Sequence, residues 1–267
     1  MCRHRCASSC TGAIDIAKII AIANQKGGVG KTTTTVNLAA EIAALNIRTL
    51  LVDFDPQGNA SSGLDIRRSD SNIYDVIIGR APLARVIAKT AVKHLKIAPA
   101  DIRLAGAELE LVDVEEREYK LRAALGQAAA EYEYIFIDCP PSLGLLTINA
   151  LSAAGTVLIP IQCEYYALEG VTALMDTVNR VKRSLNPGLD IEGVLLTMLD
   201  GRTNLGLQVV EQVKRHFKKK VYSSVIPRNV RLSEAPSHGL PMCLYDPKSA
   251  GALAYRSLAR EVINRNA

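Results

Sequence analysis

The run KIIAIANQKGGVGKTT, residues 18–33, restricts this chain more than any other stretch. Residues 18–24 are almost wholly apolar and do not alternate, which reads as a strand buried on both faces. A glycine-rich turn ends the run. Residues 31–45 then read as an alanine-rich helix. A strand, a tight turn and a helix in that order build a parallel sheet covered by helices.

The turn has the composition of a phosphate loop in its required context. Gly27, Gly28 and Gly30 let the backbone fold tightly around Val29, and successive N–H groups can then point at phosphate oxygens. The helix that opens at Lys31, Thr32 and Thr33 adds its positive end. Lys31 is placed to reach the β- and γ-phosphates of a nucleotide, and the Thr32 hydroxyl to ligate Mg²⁺. The ordinary loop pattern would carry glycine at position 25, where this chain has Gln25. It carries Lys26 inside the loop instead. A second lysine beside Lys31 is an awkward like charge, and a bound triphosphate relieves it.

Such a site also needs carboxylates, for the metal and for the attacking water. Asp138 ends the apolar run YIFID and is the candidate for Mg²⁺, through a water. Cys139-Pro140-Pro141-Ser142-Leu143-Gly144 follows, a stiff turn leading to a glycine pivot that reads as a switch segment. Asp53 and Asp55 end the run RTLLVDF and its continuation. Asp55 is the better candidate for positioning water, and Asp53 for orienting the loop from deeper in the fold. The competing reading of Asp55 is a capping residue in a D-P-Q-G turn.

Further apolar runs at residues 95–99, 156–161, 189–199 and 221–226 read as strands. Leu168, Val171, Leu174, Val178, Val181 and Leu185 recur at helical spacing over residues 167–185. The expected fold class is α/β: a mostly parallel twisted sheet with helices on both faces, of the phosphate-loop NTPase kind. One domain over residues 18–267 is expected, preceded by a disordered extension at 1–17. That extension carries Cys2, Cys6 and Cys10, with a metal site as the alternative reading. No run approaches the length of a membrane span. The last helical stretch, residues 253–264, is basic and amphipathic, and packing on the core is preferred to lying on a membrane.

Charge is uneven along the chain. Residues 201–267 carry 12 Lys/Arg against 4 Asp/Glu, whereas residues 1–200 carry 20 against 23. A basic last quarter suits a polyanion. Lys218, Lys219, Lys248, Arg202 and Arg231 are the candidate phosphate contacts. With little aromatic interleaving, duplex DNA is a better partner than single strands.

KGGVGKTT, DFDPQGN, FIDCPPSLG, PIQCEYYALEG, LLTMLDGRTNLG and VIPRNVRLSEAPSHGLP, in this order, resemble the successive motifs of the ParA/Soj partitioning ATPases with a deviant Walker A loop. The resemblance implies ATP and Mg²⁺ as ligands. It implies that Lys26 is the signature lysine that reaches a partner subunit's ATP, giving an ATP-dependent homodimer. It further implies that Asp55 is the hydrolytic aspartate, Asp138 the Walker B acid, and Pro227 and Asn229 the adenine cradle. Arg202 and Arg231 would hold DNA without sequence preference. A ParB-like partner would stimulate slow hydrolysis, and the protein would sit in the cytoplasm on the nucleoid. A MinD-like membrane-associated ATPase is the alternative reading.

Overall fold

The computed structural model of the protein describes residues 17–66, 70–164, 169–201 and 204–266. The cysteine-rich start of the chain lies outside these residues. The described strands are β1 (Lys18–Ile22), β2 (Thr49–Asp53), β3 (Ala88–Lys89), β4 (Leu95–Ala98), β5 (Tyr134–Asp138), β6 (Thr156–Gln162), β7 (Asp190–Leu199) and β8 (Val221–Pro227). They form one sheet in the order β3-β4-β2-β5-β1-β6-β7-β8. Every pairing is parallel except that of the short edge strand β3 with β4.

Strand faces alternate as a doubly covered sheet requires. Ile20, Ile22, Leu51 and Phe136 face one apolar layer, and Ala21, Leu50, Val52, Ile135 and Ile137 face the other. The first layer is closed by α1 (Lys31–Ala43) and by the last helix, Ala250–Asn266. The second is closed by α2 (Leu104–Glu110), α3 (Lys120–Ala128), α4 (Leu145–Ala153), α5 (Glu169–Ser184) and α6 (Asn204–Phe217). A short α7 (Val230–Glu234) precedes the last helix, α8. Each fully buried Ile or Leu contributes roughly 1.5–3 kcal/mol by removal from water.

Several boundaries shift by one to three residues from the sequence reading, two of them for evident local reasons. β1 ends at Ile22 rather than at residue 24, because the Asn24 side chain turns to donate to the Pro160 carbonyl at 2.7 Å. α1 ends at Ala43 rather than at Leu45, where the chain turns through Asn46 with φ 65°. The apolar stripe of α8 packs on the core through Ala252, Tyr255, Leu258, Ala259 and Val262. Among the described residues no helix is long and apolar enough to cross a membrane.

Strand order places the site. From β1 the chain moves outward to β2, beyond the place that β5 later fills; after β5 it moves to the opposite side, through β6, β7 and β8. β1 is therefore flanked by β5 and β6, where the direction of winding reverses. In open parallel sheets the crevice beyond the strand ends at such a point receives ligands. The loop after β1 lies there.

Candidate nucleotide site

The loop between β1 and α1 turns through two glycines with positive φ, Gly28 at 74° and Gly30 at 87°, a region that L side chains rarely adopt. Gly30 caps α1, so the first turn of a 13-residue helix points its free N–H groups into the loop. Side chains distant in sequence hold this shape. The Asn24 carboxamide oxygen accepts from the Lys26 backbone N–H at 3.0 Å. The Thr197 hydroxyl, on β7, donates to the carbonyl of buried Val29 at 2.9 Å. Gly27 and Gly28 have open space where a Cβ would stand, so backbone is what they present outward.

The two loop lysines go different ways. Lys31 is buried, and its ammonium donates to the Lys26 carbonyl at 3.2 Å. Burial lowers its pKa, against the attraction of Asp138, Cys139 and Asp55. Lys26 is a third exposed and extends to Glu164, just beyond β6, at 3.7 Å. Glu164 also faces Arg228 at 3.5 Å and accepts from the Gln162 carboxamide.

Opposite the loop, Asp53 and Asp138 are register partners at the ends of β2 and β5, and both are fully buried. Asp53 accepts from the Ser61 N–H at 2.8 Å and its hydroxyl at 2.6 Å, and from the Asp55 N–H at 3.3 Å. The Ser61 hydroxyl in turn accepts from the Ala100 N–H at 3.0 Å. Asp53 is thus the anchor of the loops after β2 and β4. Burial raises its pKa against those donors.

Asp138 accepts from the Thr35 hydroxyl at 2.9 Å on one oxygen, while its other oxygen is buried without a partner. Burial and then the charge of Asp53 push its carboxyl well above the usual range, with the Thr32 and Thr35 hydroxyls pulling the other way. Asp55, 6% exposed, accepts from the Gln57 N–H at 3.0 Å. Its geometry is that of an Asx turn, and its carboxylate also lies close enough to Lys31 to attract it.

These residues fit Mg²⁺. An unpartnered buried carboxylate oxygen and neighbouring threonine hydroxyls are hard oxygen donors. Among the described residues no cluster of three or more His, Cys, Asp or Glu could cage a metal. Magnesium in nucleotide sites takes one or two protein ligands and fills the rest with phosphate and water. Cys139 and Cys163 are buried free thiols, and burial pushes both up, Cys163 to about 11.

The structure brings Lys31, Thr32, Asp55 and Asp138 together where β1, β2 and β5 end, with Thr33 in the first turn of α1 and Lys26 in the loop before it. Pro227 ends β8 at the same edge of the sheet. Asn229 caps α7, its side chain accepting from the Arg231 N–H at 2.8 Å. The proposed phosphate contacts do not form one face. Lys218 and Lys219 are exposed before β8 begins, at the opposite edge of the sheet from the loop, because β8 runs parallel to β1. Arg231 and exposed Lys248 follow β8, and Arg231 is paired with Glu234 at 2.9 Å and Asp246 at 3.8 Å. Arg202 lies outside the described residues.

Sequence reasoning missed Asn24, Thr35, Ser61, Glu164 and Thr197, whose roles depend on strands distant in sequence. Gly144, read as the pivot of a switch segment, has φ −78°, and a Cβ there would stand 2.6 Å from a Glu108 oxygen, so that carboxylate would have to shift.

A family model described as an AAA domain matches residues 17–191. The chain is 60% identical over 249 residues to sporulation initiation inhibitor protein Soj of Bacillus subtilis, covering 92% of this chain and 98% of that one. It is 55% identical over 253 residues to chromosome partitioning protein ParA of Myxococcus xanthus, covering 94% and 89%. A Mycobacterium smegmatis structure described as cobyrinic acid a,c-diamide synthase with bound ATP analog and magnesium superposes with TM-score 0.83 at 35% identity, covering 94% and 96%. The septum site-determining protein MinD of Pyrococcus horikoshii, complexed with Mg-ADP, superposes with TM-score 0.80 at 27% identity, covering 94% and 98%.

Proposed function

The chain belongs to the ParA/Soj family of chromosome-partitioning ATPases, and on that premise we propose that it is an ATP-driven switch that holds and releases DNA. The backbone N–H groups of Gly27–Thr33 bind the triphosphate, and Lys31 neutralises its β- and γ-oxygens. Thr32 and Asp138 hold the metal, Asp138 through a water. Magnesium held by these residues would offset the charge of the phosphates. Asp55 orients the attacking water and accepts its proton, and Pro227 and Asn229 flank the adenine.

One observation carries this reading: Lys31 is buried in the loop, whereas the Lys26 side chain is a third exposed and pairs with Glu164 at 3.7 Å. A loop lysine turned outward is placed to meet a second copy's triphosphate. ATP then links two subunits, and hydrolysis releases them. Each dimer carries two sets of Arg202, Arg231 and Lys248, and two weak electrostatic patches on one rigid body bind duplex DNA by effective concentration. Lys218 and Lys219, at the opposite edge of each sheet, are left out of this surface. A ParB-like partner accelerates the cycle.

The test is retention of the protein on non-specific duplex DNA with ATP, ADP or no nucleotide, across a salt series. Retention with ATP alone, declining steeply with salt, is expected. Equal retention in all three states would sink the reading.

A further inference from the structure

On the side of the sheet covered by α1 and α8, a cavity of about 700 Å³ lies between the end of α1, the turn before β4, the helical turn Met242–Tyr245 and the middle of α8. α1 starts at the phosphate loop and ends here, roughly 20 Å away at about 1.5 Å per residue. The cavity is therefore separate from the nucleotide site. Its volume falls within the range of small-molecule sites, roughly 300–1,000 Å³.

The walls are apolar and the rim is basic. Leu45 and Leu244 stand on it 45% and 46% exposed, with buried Val92 beside them. Lys93 and Arg260 line it too, both exposed and, among the described residues, without an ion pair. Glu41 is the one carboxylate among the described lining residues, and Arg256 holds one of its oxygens at 3.2 Å. Three cations against one carboxylate leave a cavity that favours an anion.

The rim is also preformed. The Thr90 hydroxyl lies 3.2 Å from the Val92 carbonyl and 3.0 Å from the Leu95 carbonyl, and accepts from the Val92 N–H at 3.1 Å. That clasp closes the turn carrying Lys93, in which His94 has φ 66°, a left-handed conformation that a histidine adopts only when its surroundings impose it.

The second oxygen of Glu41 is buried with no partner. A buried acceptor without a donor is costly, and a ligand that brings one removes that cost. Rotation of the Arg256 and Arg260 side chains, fast in exposed residues, opens this oxygen to a ligand.

We propose that this cavity binds a small amphipathic anion. Its apolar body lies against Leu45, Val92 and Leu244, its carboxylate pairs with Lys93 and Arg260, and a hydroxyl beside the carboxylate donates to Glu41. A medium-chain hydroxy acid has this chemistry. The site stands apart from the ATPase and DNA readings above, and the failure of either leaves it untouched.

The probes are 3-hydroxydecanoate, decanoate, acetate and neutral octyl glucoside, each kept below micelle-forming concentrations. They are titrated by calorimetry into the full-length protein saturated with Mg-ADP, so that no anion competes for the phosphate loop. One 3-hydroxydecanoate per chain should bind saturably and more tightly than decanoate, with acetate and octyl glucoside far weaker. Lys93→Glu/Arg260→Glu reverses the rim, and Ala44→Trp fills the mouth; each should lose about tenfold or more in affinity. Ala44 is exposed at the end of α1, so a tryptophan there leaves the core intact. Both variants should bind Mg-ADP and melt as the parent does, which shows them folded. Equal affinity of parent and variants overturns the proposal. So does octyl glucoside binding as tightly as the acids, or decanoate as tightly as its hydroxy form. A charge reversal that weakens DNA retention and leaves the acid bound overturns it too, and assigns Lys93 and Arg260 to a polyanion surface.

Discussion

Asp138 is held under opposed demands. Its strand buries it completely beside Asp53, and burial plus that neighbour disfavour its charge. One oxygen has the Thr35 hydroxyl and the other has nothing within the protein. A divalent cation held through a water would favour the charged form, and that water would donate to the second oxygen. Asp138→Asn should therefore cut apparent Mg²⁺ affinity in hydrolysis by about 10–100-fold. In thermal melts without nucleotide the same variant should be at least as stable as the parent. Magnesium titration of turnover together with melting curves checks both; an unchanged magnesium requirement would remove Asp138 from the metal site. Asp138 was legible as a carboxylate ending an apolar strand. Thr35 was not: it lies one helical turn past Lys31, and its role exists only once β5 is laid beside β1.

Elements carry the site by being tied to one another. α1 is buried on nearly every side, from Thr34 to Ala43, which explains why small residues compose it. Its Glu41 lies against α8, with Arg256 at 3.2 Å and one carboxylate oxygen unpartnered. Burial raises the Glu41 pKa above its ordinary 4.5, and Arg256 only partly opposes this. The native state then keeps this proton to higher pH than the unfolded chain does. Its stabilising contribution is full below pH 4.5 and is lost as pH rises through the folded value. Relative to Glu41→Gln, the parent should lose unfolding free energy between that pH and neutrality; denaturant melts at several pH values measure it, and parallel curves would contradict it. The phosphate loop and the strands of the central sheet were readable because apolar runs bounded by turns are local signals. The short edge strand β3 was not, since two residues carry no periodicity. Gly193 illustrates the same limit: a Cβ there would lie 2.5 Å from the Tyr222 ring, a constraint created by β8 and invisible in β7 alone.

At the scale of the whole molecule, sheet order puts the loop after β1 where the winding reverses, and it gathers Asp53, Asp55 and Asp138 there from separate strands. Ordered motifs announced that gathering, whereas a charge count along the chain carries no positions in space. The basic last quarter is divided between the two edges of the sheet, because Lys218 and Lys219 precede a strand that Arg231 follows. On the proposed reading, what unites loop, carboxylates and basic residues is a nucleotide shared between two copies through Lys26. The direct measurement is the molar mass in solution of the Asp55→Ala protein with saturating Mg-ATP, with and without Lys26→Gln. The account predicts a dimer with Lys26 present and a monomer without it, at equal nucleotide occupancy. A monomer in both, or a dimer that survives Lys26→Gln, would contradict it.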